Sequence, residues 1–334
     1  MKKSFILTAI AVLLAVASAT AQQIAVVSEG GETSIFQTFQ AAIECADPGS
    51  VIYLPGGGFP LSDEVKITKR LTIIGIGHKS NNDNVDGVTT ISGNIFFNEG
   101  SSGSAVMGCY ITGNVNIGES NASVNNVMVK CCNLNSVQVY NNNCIETLVS
   151  QNYVRSSSNF GETNAIVKNN VLYSIGRVYG GSIISNVILN GFNNYNEYVH
   201  YEYSGIYAYY TIIKHNIIPC KNESHGAQYY ATIRGEYNTI DTNMCRTETG
   251  ENCINIGDLA WEDLFVDYKG ISSASDFHFK DGYKQYENMV GVYSGDVDFD
   301  KQMAPVPYIV AKRIAEETDA AGQLKIQVRV KAGE

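Results

Sequence analysis

One short phrase returns through residues 106–245, and it constrains this chain more than any other feature. It reads apolar, two variable residues, Asn, then two mostly apolar residues. Val149-Ser-Gln-Asn152-Tyr-Val154, Val167-Lys-Asn-Asn170-Val-Leu172 and Ile213-Lys-His-Asn216-Ile-Ile218 are examples. Taking the Asn position, Cys109, Asn133, Asn152, Asn170, Asn186, Asn216 and Asn243 are separated by 24, 19, 18, 16, 30 and 27 residues. Repeats of that size, each holding short β-branched runs and Gly/Asn turns, fit one coil of a solenoid per repeat. The reading is all-β, a β-helix. Asn is expected at the turn because it tolerates left-handed backbone, and stacked Asn side chains can hydrogen-bond from coil to coil. Val149, Val154, Val167, Leu172, Ile184, Ile188, Ile213 and Ile218 are expected to line the interior. An antiparallel sandwich fits less well, because two-residue hairpin turns are few.

Composition agrees. Charged residues are only 17%, whereas Gly (31) and Tyr (21) are abundant, which favours strands and turns over helices. The net charge is −10. An acidic excess argues against nucleic-acid partners and against anionic membrane surfaces. It would also repel a polyanionic polysaccharide unless a local basic strip exists.

Residues 1–21 read as a signal peptide. Lys2 and Lys3 precede an apolar run from Phe5 to Val16, and Ala19-Thr20-Ala21 is a small-residue cleavage site. The expectation is an exported protein of the periplasm, outer surface or extracellular space, starting at Gln22. Loss of Lys2 and Lys3 would take the charge from −10 to −12. No other apolar run is long enough to span a bilayer. Eight cysteines in such a chain leave room for a disulfide, but Cys109 and Cys245 lie inside or beside the phrase, where a small side chain packs inward. No CxxC or HxxxH spacing supports zinc.

Ser34 with Gln37 forms a capping-box signature before Phe36, Phe39 and Ile43, so a helix is expected there, ended by Asp47-Pro48-Gly49. Val51–Leu54 then reads as a strand. The run from Gln37 through Ala41-Ala-Ile-Glu-Cys-Ala-Asp-Pro-Gly-Ser-Val-Ile-Tyr-Leu-Pro-Gly-Gly57 resembles the N-terminal cap of pectate-lyase-like proteins, and Leu71-Thr-Ile-Ile-Gly-Ile-Gly77 is similar to the next strand of that superfamily. The resemblance implies a right-handed parallel β-helix whose open end the short helix plugs. It implies no one activity, because the superfamily holds lyases, hydrolases and adhesins. The stretch from Asp276 to Ile309 resembles the tail of exported β-helix proteins of Bacteroides-type bacteria. The chain divides accordingly into a β-helix with its cap over 22–257 and a C-terminal β appendage over 258–334. In the latter, Leu324–Lys331 alternates apolar and basic residues and is expected to close a hairpin with 308–317.

The longest steps hold tyrosine-rich insertions. Tyr198, His200, Tyr201, Tyr203, Tyr207 and Tyr209 fall in the first, Tyr229 and Tyr230 in the second. Aromatic rings stack on the apolar faces of sugars and phenols add hydrogen bonds, so these eight are the expected glycan-binding residues. The bland alternative is that the rings only cover the core. A polysaccharide lyase would need a base and a carboxylate neutraliser. Lys130, Arg155, Lys168, Arg177, Lys214, His215 and Arg234 offer basic groups, one per coil. Residues 101–235, however, contain no Asp at all, which disfavours both a calcium-dependent lyase and a paired-carboxylate hydrolase. Asp296, Asp298 and Asp300 mimic the start of a calcium loop but lack its Gly and Glu. The reading is a non-catalytic exported protein that binds polysaccharide or glycoconjugate, with no cofactor. A lyase or a purely structural surface protein are the alternatives, and the oligomeric state is not legible.

Overall fold

The computed structural model describes residues 23–63, 65–79, 87–189, 192–193, 203–204, 206–218, 233–245, 250–257, 259–295, 299, 308–318 and 324–331. It is an all-β structure dominated by long parallel sheets. Among the described residues, the first sheet has eleven strands. Thr33–Phe36 and Ile24–Val27 begin it in antiparallel fashion. From Val51–Leu54 to Thr239–Asp241 every neighbour is parallel. The second sheet has ten parallel strands from Gly57–Pro60 to Ile254–Asn255. A third side holds Ile95–Phe97, Val115–Ile117 and Val137–Val139. It continues through the bridges Gln138↔Asn159 and Ser158↔Ile175 to Ile175–Tyr179, Ile206–Tyr209 and Ile233–Arg234.

The chain visits the three in turn. Met128–Lys130 lies in the first sheet, Asn133–Leu134 in the second and Val137–Val139 in the third, before Leu148–Ser150 re-enters the first. The repeat phrase is therefore a strand, a sharp corner and a second strand. Its apolar positions Val129, Val149, Val167, Ile183 and Ile213 are fully buried in one core with Val154, Leu172, Ile188 and Ile218. In the repeat of Asn186 it is Ile183 that faces inward. Ile184 stands half-buried on the outer side, a correction that follows from strand alternation counted back from the corner.

The corner corrects a second expectation. The left-handed residue is the one before the Asn: Cys131, Gln151, Asn169, Ser185, His215 and Thr242 have φ between 50° and 59°. The Asn that follows is buried and hydrogen-bonded. Asn186 Nδ2 lies 2.9 Å from Asn216 Oδ1, and Asn216 Nδ2 lies 2.9 Å from Asn243 Oδ1. Three repeats before Asn186 the file shifts by one residue. Asn152 Oδ1 accepts from the backbone N–H of Cys132, and Asn133 pairs with Tyr153 in the neighbouring strand. Cys132, and not Asn133, occupies the ladder position.

The helix spans Phe39–Cys45, with Phe39, Ala42 and Ile43 buried in the main core. Its N-cap is Thr38, whose hydroxyl accepts from Ala41 N–H, in place of Ser34. Thr33–Phe36 is committed to pairing with Ile24–Val27, so the helix cannot start earlier. Cys45, Cys109, Cys131, Cys132, Cys144 and Cys245 form no disulfide, and Cys220 lies outside the described residues.

Residues 259–295 pack on the outer face of the second sheet. Phe265–Asp267 pairs with Asp276–Phe279, and Leu264, Phe265, Phe277 and Phe279 form a second core with Tyr153, Val171, Val187, Ile217 and Met244. Burying each such aliphatic side chain stabilises by about 1.5–3 kcal/mol. The left-handed corners hold this layer: Asn169 Nδ2 reaches Val292 O, Ser294 Oγ donates to Ser185 Oγ, and Gly291 N–H donates to His215 O. Tyr308–Thr318 and Leu324–Lys331 pair antiparallel. No helix among the described residues is long and apolar enough to cross a membrane.

Candidate functional site

The third side is where the longest repeats bring aromatic rings together. Strand Ile175–Tyr179 pairs in parallel with Ile206–Tyr209, with Val178 opposite Ala208 and Tyr179 opposite Tyr209. Alternation sends Ile175, Val178, Ile206 and Ala208 into the core, all fully buried. It sends Tyr179, Tyr207 and Tyr209 outward. Tyr210 follows in a left-handed corner with φ 51°, and Tyr237 in the next repeat has φ 60°.

These five rings form one contiguous cluster. Tyr237 stacks on Tyr210 with centroids 4.8 Å apart and planes at 15°. Tyr179 lies 5.1 Å from Tyr210 and 6.2 Å from Tyr209. Tyr207 meets Tyr209 edge-on at 5.5 Å, with their hydroxyls 3.4 Å apart. The residues beneath are buried while the cluster itself stays open to solvent: Tyr179 is 36%, Tyr210 52% and Tyr237 70% exposed. One face of the Tyr237 ring is covered by Tyr210. Beside the cluster, Arg177 Nη2 pairs with Glu162 Oε1 at 2.6 Å, and Asn142 Nδ2 donates to Glu162 Oε2 at 3.1 Å. The same side carries Tyr140, 54% exposed.

The Tyr179 phenol is pushed up from its ordinary value, first by loss of water around it, then by Tyr210 and Glu162. That direction makes it a poor base at neutral pH and keeps it a hydrogen-bond donor.

Of the eight expected binding residues, Tyr207 and Tyr209 are brought together. Tyr203 lies in the short strand Tyr203–Ser204, antiparallel to Phe192–Asn193. Tyr198, His200, Tyr201, Tyr229 and Tyr230 lie outside the described residues, as do Asp296, Asp298 and Asp300. Tyr179 is not singled out by the sequence because it stands in the shortest repeat, outside both insertions. The signal that finds it is register: aligning Val178 with Ala208 puts Tyr179 beside Tyr209.

The basic candidates separate. Lys130, Lys168 and Lys214 share the outer face of the first sheet. Arg155 is a structural clamp, donating to Tyr110 Oη at 2.6 Å and to Ile111 O at 2.8 Å. His215 Nδ1 lies 2.8 Å from Met289 O. Arg234 stands opposite Tyr207 in the third side. Among the described residues, no three His, Cys, Asp or Glu side chains are placed to hold a metal ion.

No protein-family model, no curated protein and no solved structure matches the chain.

Proposed function

We propose that this is an exported right-handed parallel β-helix, its end plugged by the helix Phe39–Cys45, that binds glycan without catalysis through the tyrosine cluster of its third side. The order in which the chain visits three stacked parallel sheets supports the architecture. The signal-like residues 1–21 support export to the envelope or beyond.

The observation that carries the binding reading is the contiguous set of rings Tyr179, Tyr207, Tyr209, Tyr210 and Tyr237, open to solvent on the outer side of the third sheet. The rings support one another by stacking and still leave outer faces open to a ligand. The outer ring faces suit the C–H faces of sugars, and the phenols with Arg177, Glu162 and Asn142 supply hydrogen bonds at the rim. Glu162 is engaged by Arg177 and Asn142, an arrangement suited to orienting a hydroxyl. A glycan array on the full chain, read beside Tyr179→Ala, Tyr210→Ala and Tyr237→Ala, tests this. Binding lost in the variants supports it. Binding that is absent in the parent, or unchanged in all three variants, refutes it.

A further inference from the structure

The outer face of the first sheet is a second surface, separate from the tyrosines. Unshifted parallel pairing places Lys130, Ser150, Lys168, Ile184, Lys214 and Asp241 in one file across six adjacent strands. Lysine stands on every second strand from Met128–Lys130 to Ile212–Lys214. Adjacent strands are about 4.8 Å apart, so these ammonium-bearing positions recur about every 9.6 Å along the stacking direction. A neighbouring file on the same face carries Met128, Leu148, Ile166 and Ile212. With Ser182 between the last two, this file is open to solvent at Ile166, 40% exposed, and at Ile212, 45% exposed. The outward positions of the parallel strands from Val51–Leu54 to Ile212–Lys214 hold no carboxylate. Beyond Lys214 the file turns acidic, with Asp241 3.3 Å from Lys214 and Glu251 bridged in parallel to Asp241. On a chain of net charge −10 this face is locally basic.

We infer that this face binds an extended acidic glycan bearing one carboxylate on every second sugar, laid along the stacking direction of the strands. The recurrence of the lysines corresponds to the advance of an extended chain over two linked pyranose rings, so one carboxylate meets each ammonium. The aliphatic file gives the sugar C–H faces an apolar track beside the charges. A fixed recurrence favours a linear polymer over a lipid surface, whose headgroups have no set spacing. The acidic remainder of the protein repels a polyanion and so confines it to this strip. Lys214 is not withheld by Asp241, because half-exposed pairs of this kind exchange readily for another carboxylate. The inference does not depend on the tyrosine cluster, with which it shares no residue.

The test is a titration of the full chain at low and high salt with four probes. These are an alternating glucuronate–N-acetylglucosamine polymer, polygalacturonate of matched length, neutral dextran, and vesicles of mixed anionic and zwitterionic phospholipid. The alternating polymer is expected to bind tightest, weakening with salt. Lys130→Gln, Lys168→Gln and Lys214→Gln should each weaken it about twofold to fivefold, as for exposed charge pairs. The triple variant should abolish it, Lys168→Arg should retain it, and Asp241→Asn should tighten it. Lys269→Gln and Lys284→Gln, on the C-terminal layer, should change nothing, and Tyr210→Ala should also leave it intact. Four outcomes would each overturn the inference: no polymer binding, equal affinity for polygalacturonate, binding to vesicles alone, or parental affinity in a triple variant whose melting temperature is unchanged.

Discussion

Asn170 Oδ1 accepts two hydrogen bonds from Asn152 of the preceding repeat, one from its backbone N–H and one from its side-chain Nδ2, both at 2.9 Å. Asn170 Nδ2 in turn reaches Asn186 Oδ1 at 2.9 Å and Val149 O at 3.0 Å. Each amide thus closes a corner in its own repeat and ties it to both neighbours, with no exposed surface. Asn170→Ala leaves the Asn152 N–H without its partner inside the core and takes a side-chain donor away from Val149 O. A loss of about 2–4 kcal/mol is expected, seen as a fall in the denaturant midpoint. Asn170→Asp should be worse, since it removes a donor and buries a charge.

Cys132 imitates the same amide. Its Sγ lies 3.2 Å from Lys130 O and 3.8 Å from Val106 O, the carbonyls equivalent to those Asn170 reaches at Lys168 and Val149. Cys132→Asn should therefore extend the ladder and fold as well as the parent or about 1 kcal/mol better, measured by thermal melting. Burial pushes the Cys132 thiol up to about 12 and Cys131 up to about 11. Native alkylation near neutral pH should mark exposed Cys45 first and spare both, as mass spectrometry of peptides would reveal.

Gly291 has φ 81°, and a Cβ there would stand 2.6 Å from Ile217 Cδ1. Gly291→Ala is expected to lift the C-terminal layer from the second sheet. Backbone strain and clash together should cost about 1–3 kcal/mol. Hydrogen exchange should rise first at residues 289–294, before it rises in the main core.

The Asp241 carboxyl is held down to about 2 by hydrogen bonds from Asn252 and Thr242 and by Lys214. A folded value below the ordinary 3.8 means that ionised Asp241 favours the folded chain above that ordinary value. The benefit fades as pH falls through the window between 3.8 and about 2. Melting curves of the parent and of Asp241→Asn should differ at neutral pH and converge at the acid end of this window. A gap that stays constant across it would contradict the assignment.

The strand–corner–strand phrase was legible because burial on one side of a short strand forces a regular apolar spacing. Val149, Val167 and Ile213 show it without any structure. The one-residue shift at Cys132 was not legible, because a thiol and an amide look unrelated until their shared carbonyl partners are known. The sealing of the second sheet by Phe265 and Phe279 was also hidden. Residues 259–295 carry no period that says which face they cover.

Local pattern alone settled that this chain makes short β-strands joined by tight polar corners, since side-chain alternation and backbone preference act within a few residues. Tertiary pairing decided which residues stand side by side. Tyr179 meets Tyr209, and Lys130, Lys168 and Lys214 fall in one file, because parallel register joins residues one or more repeats apart. That register is set by packing across the core and by the asparagine ladder, and neither acts within a single repeat.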